Sequence, residues 1–107
     1  MAMSDYTKIP KWVKVKVWER DNMRCVVCGQ TCDISNASSH IVRRSQGGMG
    51  IPENIVVHCY YCHQRYDAYD EYTRNRTLDY IKIRYPGWQE SEVTFHRYGK
   101  DGFKSEY

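Results

Sequence analysis

The stretch CYYCHQRYD, Cys59–Asp67, joins two kinds of metal-binding chemistry in nine residues. Cys59 and Cys62 have the C-x-x-C spacing by which one tight turn offers two thiolates to an ion. His63 follows at once, and Asp67 lies four positions on. In a helix that begins after Cys59, His63 and Asp67 are i and i+4 and point the same way. One short segment thus presents sulfur ligands on one side and an imidazole with a carboxylate on the other.

Thirty residues upstream, CVVC supplies Cys25 and Cys28. Two C-x-x-C pairs make the four-thiolate set of a structural zinc site. Gly29 suits the backbone reversal that such a knuckle needs. A redox motif would not need the second pair, and a reducing compartment disfavours two disulfides. Spacing alone leaves iron open. A closed four-thiolate site has no vacant coordination position and does no chemistry itself. Its expected role is to pin the segment 29–58 at both ends and so contribute to folding. Cys32 is a spare thiol with no assigned role.

The rest of the chain reads as a frame for that clamp. At 107 residues a single domain is expected, small enough to benefit from a staple. Residues 10–21 read as a short helix in which Trp12, Val13, Val17 and Trp18 share a face, although alternation of Val13, Val15 and Val17 also permits a strand. ASSHIVRR, residues 37–44, reads as a strand. The glycines at 47, 48 and 50, with Pro52, make a loop able to lie close to a sugar-phosphate backbone. A helix is expected over LDYIKIRY, residues 78–85, capped by Thr77 and ended by Pro86-Gly87. Val93–Phe95 has weak strand character. His58 is expected at the surface of an extended segment, a spare ligand, and His96 has no role.

Charge and composition narrow the partners. Net charge is only +3, yet no acidic residue falls between Ile34 and Pro52, where His40, Arg43 and Arg44 lie. A locally positive loop suits a phosphate-bearing partner. The tyrosine-rich segment 66–85 suits either packing or contact with a partner. No apolar run reaches the ~18 residues that span a bilayer. The first residues, MAMSDYTKIPKW, lack a signal-type apolar stretch, so a cytoplasmic protein is expected.

The segment SHIVRRSQGGMGIPENIVVHCYYCHQRYD, with RDNMRCVVCG before it, resembles the HNH endonucleases, in particular the four-cysteine, zinc-containing type common in bacteriophages. His40, Gly47-Gly48, Asn54-Ile55 and CYYCH occur in the family's order, over residues 20–67. The resemblance implies an α+β chain built on a ββα-metal domain that hydrolyses DNA phosphodiester bonds with one divalent metal. His40 would be the general base that activates water. Asn54 would hold the loop and orient that histidine, and His63 would ligate the catalytic metal. The chain would form one domain over residues 1–107, with a core at 20–67, an N-terminal helix near 10–21 and a helical extension over 68–107.

One position departs from the family. Where it often has an acidic residue or a second histidine as metal ligand, this chain has Ser39. Asp67 is the expected replacement, beside His63, holding Mg²⁺, Mn²⁺, Ni²⁺ or Zn²⁺. Arg43 or Arg44 would meet the scissile phosphate, at most one of them if they sit on a strand. The phage resemblance suggests the host cytoplasm and a place near packaging proteins, while monomer and dimer both stay open. The competing function is a zinc module that binds nucleic acid or protein without cutting, and the serine favours it. A zinc deaminase is excluded, since no catalytic glutamate follows His40.

Overall fold

The computed structural model describes residues 3–95. Its elements are helices α1 (Met3–Thr7) and α2 (Lys11–Arg20), strands β1 (Ser39–His40) and β2 (Ile55–Val56), and helices α3 (Tyr60–Asp67) and α4 (Glu71–Arg84), joined by short 3₁₀ turns. The two strands pair antiparallel, Ser39 opposite Val56 and His40 opposite Ile55. The fold is α+β. Among the described residues no helix is long and apolar enough to cross a membrane.

Helix α2 forms where it was expected and buries Val13 and Val17, one turn apart. They pack with Val27, Ile55, Val57 and the cysteines at 25, 32, 59 and 62 in the main core cluster. Trp12 does not share that face: it is 60% exposed. Trp18 is half-buried, and its indole N–H donates to the Cys32 carbonyl at 2.9 Å. A second cluster joins Ile41, Val56, Tyr66 and Ile81, and so seats α3 and α4 against the strands.

Three expectations need correction. The strand over 37–44 is only the pair Ser39–His40, because Asn54 captures the Val42 backbone just beyond it. Helix α4 starts at Glu71, not after Thr77. Asp70 caps it, accepting from the Thr73 N–H at 3.0 Å. Thr77 lies mid-helix, its hydroxyl donating back to the Thr73 carbonyl at 2.8 Å. Val93 closes a 3₁₀ turn, and only Thr94 bridges, to Gly48. His96 lies outside the described residues.

The loop glycines face the protein's own backbone. A Cβ on Gly48 would lie 1.7 Å from the Val42 carbonyl oxygen, and one on Gly50 would lie 1.8 Å from that of Lys8. These two glycines let the chain pass itself, so they are not open ground for a nucleic-acid backbone.

A buried ion pair ties α2 to everything else. Arg20 Nε meets Asp21 Oδ1 at 2.7 Å, with the aspartate side chain fully buried. Asp21 Oδ2 accepts from the Val57 N–H at 3.0 Å, and Tyr80 of α4 donates to Oδ1. Arg20 also donates to the carbonyls of Pro52 and Ile55, at 2.7 and 2.8 Å. Burial, reinforced by Asp21, pushes the Tyr80 phenol up to about 12, so it remains a donor. Asp21→Ala strands the Arg20 charge and is expected to cost about 3–5 kcal/mol in stability. Urea unfolding of the zinc-loaded protein measures it, and a loss below about 1 kcal/mol would show that the pair is dispensable.

Candidate metal centre and adjoining cleft

The two knuckles converge. One sulfur from each of Cys25, Cys28, Cys59 and Cys62 lies within 4.8 Å of the other three. A tetrahedron with Zn–S bonds of about 2.3 Å has edges of about 3.8 Å, and the Cys28 and Cys59 sulfurs are 3.6 Å apart. The Val27 and Cys62 N–H groups donate to the sulfurs of Cys25 and Cys59, each at 3.4 Å, the support that thiolates require. Burial raises the Cys62 thiol, and the neighbouring sulfurs Cys59 and Cys25 raise it further. As thiolates, four sulfurs this close would repel one another unless a cation lay between them. The donor set therefore fits a structural metal ion, consistent with zinc. Cys32, buried nearby, donates instead to the Gln30 carbonyl at 3.4 Å and stands outside the four.

The clamp brings β1 beside the start of α3. There Ser38, His40, Arg43, Arg44, Ser45, His63 and Asp67 line a cleft of ≈ 240 Å³. A second cleft of ≈ 380 Å³ shares Ser38, His40 and Arg44 with it and adds Lys8 and Lys14. Sequence reading missed those two lysines. They sit in and before α2, far from the motif in sequence, so no local spacing pointed to them.

Within the cleft, His40 Nε2 lies 2.9 Å from the Thr7 carbonyl oxygen at the end of α1. A carbonyl only accepts, so Nε2 carries the hydrogen and Nδ1 keeps the lone pair. Burial lowers the His40 pKa; the bond to Thr7 opposes this and Arg44 adds to it. His63 Nε2 lies 3.4 Å from Asp67 Oδ2 across one helical turn. Both side chains are about half exposed. Together they could offer one imidazole nitrogen and one carboxylate oxygen to a divalent ion.

Both arginines line the cleft. They lie past the end of β1, at the entry to a 3₁₀ turn, so strand alternation does not separate them. Arg44 Nε donates to the Thr7 hydroxyl at 3.2 Å. Arg43 stacks over the Tyr69 ring at 4.4 Å, donates to the Asp67 carbonyl and lies 3.9 Å from the Asp67 carboxylate. Its Nε is buried and has no hydrogen-bond partner among the described residues.

Asn54 is fully buried and works on the loop. Its Oδ1 accepts from the Val42 N–H at 2.8 Å, and its Nδ2 donates to the carbonyls of Val42 and Met49. Held this way, residues 42–49 keep Arg43 and Arg44 at the cleft.

The largest surprise is His58. It is 2% exposed, not on the surface, and is no spare ligand. Its Nδ1 lies 2.8 Å from the Ser39 hydroxyl and its Nε2 lies 2.9 Å from the Thr77 hydroxyl. The Ser39 hydroxyl also lies 2.6 Å from His63 Nδ1. Burial, with a smaller contribution from His63, lowers the His58 pKa to about 3.

Residues 25–68 match the family model described as HNH endonuclease. Comparison with curated proteins and with solved structures gave no match.

Proposed function

We propose, from the HNH endonuclease character of residues 25–68, that this chain hydrolyses DNA phosphodiester bonds as a single domain over residues 1–107. The observation that carries the reading is the shared cleft, where His40, His63, Asp67 and both arginines meet. His40 takes the proton of the attacking water at Nδ1, because Nε2 is committed to Thr7. His63 and Asp67 would hold a divalent metal, which when bound supplies charge neutralisation at the phosphate and the leaving oxygen. Arg43 and Arg44, which line the same cleft, face the phosphate and stabilise its developing charge. Lys8 and Lys14 extend the positive surface along the DNA backbone, which favours contact by backbone and shape over base reading.

The test is conversion of supercoiled plasmid to open circles with Mg²⁺, Mn²⁺ or Ni²⁺ added to the zinc-loaded protein. Nicking should need the added ion. His40 works as a base only when neutral. Burial lowers its pKa, the bond to Thr7 opposes this, and Arg44 adds to the lowering. Activity is therefore expected above the folded-state pKa and lost as pH falls through it, with the acid limb below the ordinary 6.5. Folded, zinc-loaded protein that nicks with none of the three ions would overturn the proposal.

The non-cutting zinc module retains one supporting observation. The Ser39 hydroxyl is held between two histidines, which leaves two protein ligands for a second metal. Stable DNA binding without cleavage is its distinguishing outcome.

A further inference from the structure

Ser39 stands where the resemblance expects a ligand, yet its surroundings give it different work. Its hydroxyl has one hydrogen and two imidazole neighbours, His58 Nδ1 at 2.8 Å and His63 Nδ1 at 2.6 Å. It can donate to only one of them and must accept from the other. The far end of the chain of contacts decides which.

That end is Thr77. Its hydroxyl lies 2.8 Å from the Thr73 carbonyl, which can only accept, so the hydroxyl hydrogen points there. The Thr77 oxygen is then an acceptor for His58, and His58 Nε2, at 2.9 Å, must carry the hydrogen. His58 is buried, with Ser39, Thr77 and the aromatic rings of His63 and Tyr66 around it. A charged imidazole without a carboxylate partner is costly in such a place. A neutral His58 with Nε2–H has a bare Nδ1, which takes the Ser39 hydrogen. The Ser39 oxygen then accepts from His63 Nδ1–H. What remains on His63 is Nε2, 3.4 Å from Asp67 Oδ2, the ring atom left to share a metal ion with that carboxylate.

We propose that Ser39 is a positioning residue: the relay Thr73–Thr77–His58–Ser39 fixes His63 as its Nδ1–H tautomer and presents Nε2 as a ligand. The metal-binding purpose of the relay rests on the nuclease reading; the tautomer does not. Metal-ligating histidines characteristically have their other ring nitrogen fixed by a hydrogen bond, and loss of that partner typically weakens metal binding 10–100-fold. A serine thus serves the site from behind rather than as a ligand.

The experiment is ¹⁵N NMR of the imidazoles in the zinc-loaded chain with no second metal, which reads the protonated nitrogen directly. The wild type should show His63 protonated at Nδ1 and His58 protonated at Nε2. His63 protonated at Nε2 and bare at Nδ1 would overturn the relay without any variant having to fold. Thr77→Val removes the acceptor for His58 Nε2–H, so His58 should move its hydrogen to Nδ1. Ser39 then donates to His63, whose hydrogen moves to Nε2, although Thr77 does not touch that ring. An unchanged His63 tautomer in folded Thr77→Val would also overturn the relay. By calorimetric titration with Mn²⁺, Ser39→Ala should bind about 10–100-fold more weakly than wild type; unchanged affinity would refute the positioning role. The nuclease reading fails on separate evidence, namely absence of nicking by a wild type whose His63 shows the expected tautomer.

Discussion

Withdrawal of the ion held by Cys25, Cys28, Cys59 and Cys62 is expected to unfold the chain. Cys25, Cys59 and Cys62 are buried in the same cluster as Val13, Val17, Ile55 and Val57, so the sulfurs are part of the core. The sheet has two residues per strand, and a ladder that short does not hold β1 to β2 unaided. Structural zinc sites supply about 10–16 kcal/mol in isolated zinc-finger peptides, against about 5–15 kcal/mol of total stability for a typical domain. The metal is thus expected to decide between folded and unfolded. Mass spectrometry under native conditions should find one zinc per chain. A strong chelator should abolish the helical circular dichroism of α2, α3 and α4, and Cys59→Ser should prevent recovery when zinc is restored. Helical signal and a cooperative melt that persist in verified metal-free protein would remove the clamp from the account.

His40→Ala should lower the rate of plasmid nicking by about 10²–10⁴-fold, the usual contribution of a general base. The loss should fall on turnover. In the proposed function DNA affinity rests on Arg43, Arg44, Lys8 and Lys14, which the substitution leaves in place. Zinc content and the helical spectrum should be those of wild type, because His40 is half-buried at the cleft and outside both core clusters. His40→Gln separates shape from basicity. An amide can still donate to the Thr7 carbonyl, but it has no nitrogen that takes a proton near neutrality. It should therefore be as inactive as alanine. Cleavage within about tenfold of wild type in either variant would show that another group takes the proton.

The metal clamp was legible because its logic is local. A C-x-x-C turn builds half a site within four residues, and two halves can only be completed by each other. His63 and Asp67 were legible for a similar reason, since one helical turn fixes their relation. His58 was not. It lies inside a run, Asn54 to Cys59, in which every residue is buried, so the alternation that would show which way it points is missing. The usable signal was a polar residue inside such a run, which must find partners. Thr77 misled because threonine both caps helices and back-bonds within them, and Asp70 with Thr73 was the better capping pair. Arg43 and Arg44 were separated on the premise of a strand that ends four residues earlier than expected. The packing of α1 over His40 had no sequence signature at all.

That last contact affects how variation at position 7 is read. The group that orients His40 is a peptide oxygen, which every amino acid placed there would supply equally. Alanine at this position would remove the Thr7 hydroxyl and its bond to Arg44, and would leave the carbonyl contact to His40 in place. Related chains are free to differ in side chain at this site and still align the imidazole alike, provided the main chain follows the same path.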